Sequence, residues 1–244
     1  VISKGFGYPS IFNADAVVME QTRVGKNIQD AREGGCSGCV ETGAFGKEAY
    51  ILTGYLNVPK LLELALFNGL DPISGKVVGV KTGDPMTFET LDDLYEAFDR
   101  QLHHIVDMKI RVNNYIERMF AVNSPAPFLS VVIRDCISNG KDYYNGGPRY
   151  NTNYIQCCGI GTITDSISAI NKHVFEDKTI TMDTLLYALR NNFAGQEALR
   201  LRLLNKTPFF GNDDDRADAI MQRVYESLFN TIDGKPNTKG SSYH

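Results

Sequence analysis

The residues with the clearest chemical capacity lie in one glycine-rich run, Gly34-Gly35-Cys36-Ser37-Gly38-Cys39-Val40-Glu41-Thr42-Gly43. In an extended segment, side chains two positions apart share a face. Cys39 and Glu41 are therefore expected on one side, about 7 Å apart, with Val40 opposite. A thiol and a carboxylate so placed can address neighbouring carbons of one small molecule, one acting on hydrogen and the other on a hydroxyl, which suits an elimination. A competing reading makes Cys39 a small buried apolar residue and Glu41 a surface charge. Cys36 and Cys39 also form a Cys-x-x-Cys pair, open to a redox dithiol or half a zinc site. Neither context is present, because glycines flank the pair and no second Cys-x-x-Cys or spaced His pair completes four ligands.

Other candidate groups are weaker. Gly159-Ile160-Gly161-Thr162 precedes a helix and offers amides to an anion, yet it lacks the third glycine and βαβ setting of a dinucleotide fingerprint; a helix start against packed backbone is the plainer reading. Asp213-Asp214-Asp215 looks like a metal cluster, but its place at the start of an amphipathic helix suits capping and dipole compensation. His103 and His104 have no partner four residues on and read as structural, as do His173 and His244.

The elements that must position these residues follow from periodicity and caps. Asn13 or Asp15 caps a helix carrying Val24, Ile28 and Ala31, which Gly34-Gly35 ends by offering positive φ. Four glycines in ten positions exclude a helix interior and require close backbone approach or unusual φ/ψ in the loop. Pro59 opens a short helix over 60–67 that Asn68-Gly69 closes, followed by turns around a brief strand at 77–80. Thr90 and Asp93 form a capping box before a helix of about 30 residues, with Leu91, Leu94, Phe98, Leu102, Ile105, Val112, Ile116 and Met119 on one face until Asn123-Ser124-Pro125. A buried strand or helix is expected at 128–133, an ordered turn-rich loop over 139–153, and helices over 162–174, 181–193 and 214–232.

Composition removes several functions. Twenty-five Lys plus Arg against 29 Asp plus Glu, net −4, with no basic block, excludes a primary nucleic-acid binder. The longest apolar runs, such as Val131-Val132-Ile133, fall far short of the ~20 residues of a bilayer span, and no signal-peptide pattern opens the chain. Five cysteines, with Cys157 and Cys158 adjacent, do not form a secreted disulfide framework and point to a reducing cytoplasm. A chain of 244 residues would bury roughly 72% of its extended surface, ample for a core. It begins at Val1 rather than Met and ends at Ser242-Tyr243-His244 without a cap, so a cut from a longer polypeptide is expected.

Gly38-Cys39-Val40-Glu41 resembles the thiyl-radical cysteine loop of the glycyl radical enzymes, in their dehydratase and lyase branch rather than the branch with adjacent cysteines. The likeness extends to Gly46-Lys47-Glu48-Ala49-Tyr50, Thr53-Gly54-Tyr55-Leu56-Asn57, Gly146-Gly147-Pro148-Arg149-Tyr150-Asn151-Thr152 and Gly159-Ile160-Gly161-Thr162-Ile163-Thr164-Asp165-Ser166, and so to nearly the whole chain. Glu41-Thr42-Gly43, where diol and choline enzymes usually have Pro after the Glu, and Gly211-Asn212-Asp213-Asp214-Asp215 place it nearest the members that act on trans-4-hydroxy-L-proline.

The resemblance implies a part of a ten-stranded α/β barrel, with Cys39 supplying a thiyl radical and Glu41 handling the proton that lets a hydroxyl leave as water, to give 1-pyrroline-5-carboxylate. For that role Cys39 must be an S–H donor, and an unperturbed pKa of ~8.5 keeps it protonated near neutrality. Tyr55 is carried over as a substrate-binding residue, against the alternative of an aromatic packed beneath the loop. The implied cofactor is a glycyl radical, and the implied partner a radical S-adenosylmethionine activating enzyme in anaerobic metabolism. No metal and no membrane are implied, and a homodimer is left open. The radical-bearing Arg-Val-x-Gly-Tyr-like loop is absent; Arg23-Val24-Gly25-Lys26 lacks its spacing and aromatic residue. The expectation is one segment of a larger barrel domain, with the Cys loop at 33–46, a helical second half at 87–234, and no activity as an isolated chain. The alternatives are another glycyl radical C–O, C–N or C–C lyase, a non-catalytic fragment or paralogue, and a thiol redox or metal module on Cys36 and Cys39. From the residues alone, only a helix-rich α/β segment with few strands is supported.

Overall fold

The computed structural model describes residues 2–5, 11–38 and 40–244, apart from the side chains at 2, 51 and 52. In chain order the regular elements are α1 (Ala14–Arg23), α2 (Ile28–Arg32), β1 (Gly35–Ser37), β2 (Glu41–Gly43), β3 (Ile51–Asn57), α3 (Val58–Leu66), β4 (Leu70–Asp71), β5 (Lys76–Val77), α4 (Leu91–Asn123), α5 (Pro127–Val132), α6 (Cys136–Asn139), β6 (Asn153–Cys158), α7 (Ile160–Ile170), α8 (Met182–Arg190), α9 (Glu197–Lys206) and α10 (Asp215–Ile232). Strands pair two by two: β1 with β2, β3 with β6, and β4 with β5. The chain divides into two compact units, 1–54 with 110–156 and 232–244, and 55–109 with 157–231.

In the first unit, the single helix expected over 13–33 is two. Asn13 caps α1 by accepting from the Asp15 and Ala16 amides, but Gly25 at φ +88° turns the chain, and Asn27 caps α2 by accepting from Gln29 N at 2.8 Å. Gly34 and Gly35 do not supply a left-handed cap either; Glu33 ends α2 in right-handed geometry, and Gly35 opens β1. The segment at 128–133 is a helix, α5, but an exposed one: Phe128 is 91% accessible, and no α5 residue is buried.

Ion pairs hold the interior of this unit. Lys47 Nζ donates to Asp30 Oδ1 at 2.6 Å and Glu33 Oε2 at 2.7 Å, while the Tyr150 hydroxyl and Arg149 donate to Asp30 Oδ2. Backbone bonds from Ala49 N to Tyr150 O and from Tyr150 N to Lys47 O join the same two stretches. The Gly46 and Gly146 runs, 100 residues apart in sequence, therefore form one frame. Buried Glu117 accepts from Asn153, Thr238 and Lys239, and the 242–244 backbone runs beside Asn153 and Ile155.

Helix packing on apolar side chains builds the second unit. Asn57 caps α3 with Pro59 in its first turn, and Asn68 and Gly69 close it at positive φ, as their types imply. The Thr90–Asp93 box is present in both directions and opens α4, whose first half in this unit buries Leu94, Phe98 and Leu102. Each such side chain contributes about 1.5–3 kcal/mol on burial. α3 packs on α7, and Gly159, at φ +85°, begins α7 where a Cβ would lie 2.6 Å from the Pro59 ring. Asp213 at φ +56° and Asp214, which accepts from Arg216 N, start α10, so the acidic run caps a helix. α7 continues into a π-helical stretch, Asn171–Glu176. α9 has no counterpart among the expected helices, because its apolar residues alternate rather than follow a 3.6-residue period.

Candidate active site

The glycine-rich run folds as a hairpin. β1 and β2 pair antiparallel, with Gly35 opposite Gly43, Cys36 opposite Thr42 and Ser37 opposite Glu41, and Gly38 and Val40 lie at the tip. Cys39 lies outside the described residues. Its neighbours Gly38, at φ +60°, and Val40 are turn residues, and Glu41 opens β2. The Glu41 carboxylate folds back toward Gly38 and Val40. Its Oε2 accepts from Val40 N at 3.0 Å, and it fills the space a Cβ on Gly38 would take. Glu41 thus touches the residues on both sides of Cys39. Gly38 and Val40 are exposed.

Behind the tip the hairpin is seated by groups that periodicity did not single out. The Thr42 hydroxyl donates to Glu20 Oε1 of α1 at 2.7 Å. Burial, followed by the charges of Glu20 and Glu41, raises the Cys36 thiol, which keeps it protonated and disfavours a reactive thiolate. Gly34 and Gly43 meet across the base, where a Cβ on Gly34 would overlap the Gly43 carbonyl. Just beyond β2, Ala44 N donates to Glu48 Oε2 at 2.9 Å, and Lys26 Nζ donates to the same oxygen at 2.5 Å. Both of these charged side chains are fully buried. Burial pulls the Lys26 ammonium below its ordinary value and pushes the Glu48 carboxyl above its own, each opposed by the other's charge. Lys26 also donates to the Tyr154 hydroxyl at 3.2 Å, while Glu48 Oε1 and the Tyr50 hydroxyl are buried without partners. The signal for Glu48 and Tyr50 lay in the Gly46–Tyr50 run, whose individual residues carried no assigned role.

Tyr55 sits on β3 with its side chain 63% accessible, in the second unit, whereas Glu41 belongs to the first. His173 is buried between the Thr179 and Thr207 hydroxyls, and burial lowers its pKa, in line with a structural histidine. Among the described residues no group of three His, Cys, Asp or Glu is placed to hold a metal ion, and no helix is long and apolar enough to cross a membrane.

These features define a class. The family model described as PFL-like, pyruvate formate lyase-like, matches residues 1–244, and the chain belongs to that family. Its helix-rich α/β architecture is that of the corresponding stretch of glycyl radical enzymes. It is 54% identical over 240 residues to a trans-4-hydroxy-L-proline dehydratase of Clostridioides difficile, covering 98% of this chain and 30% of that protein. The crystal structure of the C. difficile hydroxyproline dehydratase with its substrate bound superposes with a TM-score of 0.95, over 99% of this chain and 30% of that one. A B12-independent glycerol dehydratase from Clostridium butyricum, 29% identical, gives 0.90 over 99% of this chain and 30% of that one. The chain spans about 30% of the length of these relatives.

Proposed function

We propose that the chain is the cysteine-loop segment of a glycyl radical dehydratase that removes water from trans-4-hydroxy-L-proline to give 1-pyrroline-5-carboxylate. The observation that supports this most is the contact of the Glu41 carboxylate with both neighbours of Cys39, in a chain 54% identical to a protein of that activity. A glycyl radical on a segment outside this chain would supply the oxidising equivalent, after activation by a radical S-adenosylmethionine enzyme. Cys39, as its thiyl radical, would take hydrogen from the substrate carbon beside the hydroxylated one and, as S–H, return it to the carbon that has lost its hydroxyl, while the ring nitrogen gives up its proton as the C=N bond of the product forms. Glu41 holds the proton at the departing hydroxyl, so that oxygen leaves as water rather than hydroxide. Tyr55 contacts the substrate. In this reading the isolated chain is inactive, because it holds no radical store, and the enzyme works in the cytoplasm.

The test begins with the source gene, where an Arg-Val-x-Gly-Tyr-like loop within several hundred residues after His244 is expected. The activated full-length enzyme should convert hydroxyproline in preference to glycerol and choline. Cys39→Ser should abolish turnover, and Glu41→Gln should lower it about 10²–10⁴-fold. Turnover that survives either change contradicts the assigned roles. A second reading, a sulfite-lyase or another dehydratase, is favoured by relatives 31–34% identical that carry those names, and preference for their substrates in the same assay would establish it.

A further inference from the structure

A three-pair ladder does not hold a fixed direction by itself, since isolated two-stranded hairpins are marginal in water. Something must aim it. The contact best placed to do so is at the exit of β2, three residues after Glu41. There the Ala44 amide is donated to Glu48 Oε2, and Lys26 Nζ grips the same oxygen. Lys26 is itself fixed by its bond to the Tyr154 hydroxyl and by its backbone amide on Gln21 O at 3.1 Å. Gly43 leaves room for the carboxylate: a Cβ there would lie 2.7 Å from Glu48 Oε2 and would overlap the Tyr50 hydroxyl.

The geometry points to Glu48, seated by Lys26, as a positioning residue that sets where β2 leaves the hairpin and so where the Glu41 carboxylate stands. A wholly buried ion pair is a poor device for stability alone, because apolar replacements of both partners are often neutral or stabilising. It is a good device for a single geometry, since the carboxylate has one oxygen committed to a backbone amide and an ammonium together. The assignment rests on the dehydratase reading given above.

Two double variants of the activated full-length enzyme separate acceptor from charge. Lys26→Met with Glu48→Gln keeps a carbonyl for the Ala44 amide; Lys26→Met with Glu48→Met does not, and neither leaves a buried charge. The Gln double should keep kcat within about threefold of wild type. The Met double should lose about 100-fold in kcat, with KM for hydroxyproline nearly unchanged and the glycyl radical signal at full amplitude by electron paramagnetic resonance. Equal kcat in the two doubles overturns the proposal. Gly43→Ala gives an independent check, because it crowds the Glu48 oxygen while both charges remain. Its kcat should fall at least about tenfold, and a wild-type kcat there overturns the proposal even if the Met double does not fold. Wild-type enzyme that carries its radical yet leaves hydroxyproline unchanged counts against the dehydratase reading. Wild-type turnover with no difference between the doubles counts against the positioning role alone.

Discussion

The two units bury different chemistry. Among the described residues, the buried Asp, Glu and Lys are Lys26, Asp30, Lys47, Glu48 and Glu117, all in the first unit, whereas the buried Leu and Phe side chains, from Leu56 to Leu228, are all in the second. Leucine packing tolerates small shifts, because dispersion contacts are many and individually weak. A charge-assisted hydrogen bond of 2.5–2.9 Å tolerates almost none. The unit that carries the Glu41 loop is thus built for fixed geometry, and the other for cohesion.

The largest expected effect tests whether that contrast is energetic. Glu48→Leu removes the carboxylate bonded to the buried Lys26 ammonium, leaving only the weaker charge of Glu20, and should cost about 3–5 kcal/mol, read from denaturant unfolding. Adding Lys26→Met should recover most of it, and a double as unstable as the single would break the comparison. Leu102→Ala in the second unit should cost about 2–5 kcal/mol through its cavity, with no partner substitution able to restore it. Gly159→Ala should cost about 1–3 kcal/mol, since the residue is left-handed and its Cβ would meet Pro59. Asn57→Ala removes the α3 cap and should cost about 1 kcal/mol.

Acidification sharpens the same contrast. Hydrogen bonds from Lys47 first, then from Tyr150, hold the Asp30 carboxyl well below the usual carboxylate range. A carboxyl lowered on folding stabilises fully above its unfolded pKa of about 4 and loses that contribution as pH falls toward the folded value. Amide protection in the 46–50 and 146–152 frame, taken relative to intrinsic exchange at the same pH, should therefore fall below about pH 4. Asp30→Asn should make that dependence shallower, and an unchanged slope would remove Asp30 from the account.

Much of the second unit was legible because its determinants are local. The Thr90–Asp93 box, Pro59, and Asn68-Gly69 each act within four residues, and each element begins or ends where they imply. The first unit was less so. Val24, Ile28 and Ala31 mimic one helix, but Gly25 and the Asn27 cap cut it in two. The apolar run at 128–133 suggested burial that α5 does not have. The close approach required of the glycines was foreseen and is met at Gly34 and Gly43, yet the partners that fill the space, Tyr50 and Glu48, act across the fold, as does Lys26, 22 residues before Glu48. The backward fold of the Glu41 carboxylate onto Val40 N was not legible either, because extended spacing says nothing of where a long side chain turns.

One joint in the second unit has a mechanical meaning. Asn57 both ends β3 and caps α3, so no slack separates the strand that bears Tyr55 from a helix whose Leu61, Leu62 and Leu64 are locked in the core. Tyr55 therefore rides on that helix like a tooth on a shaft without backlash. Repacking α3, with no change at Tyr55 itself, would retune how that ring meets whatever it touches.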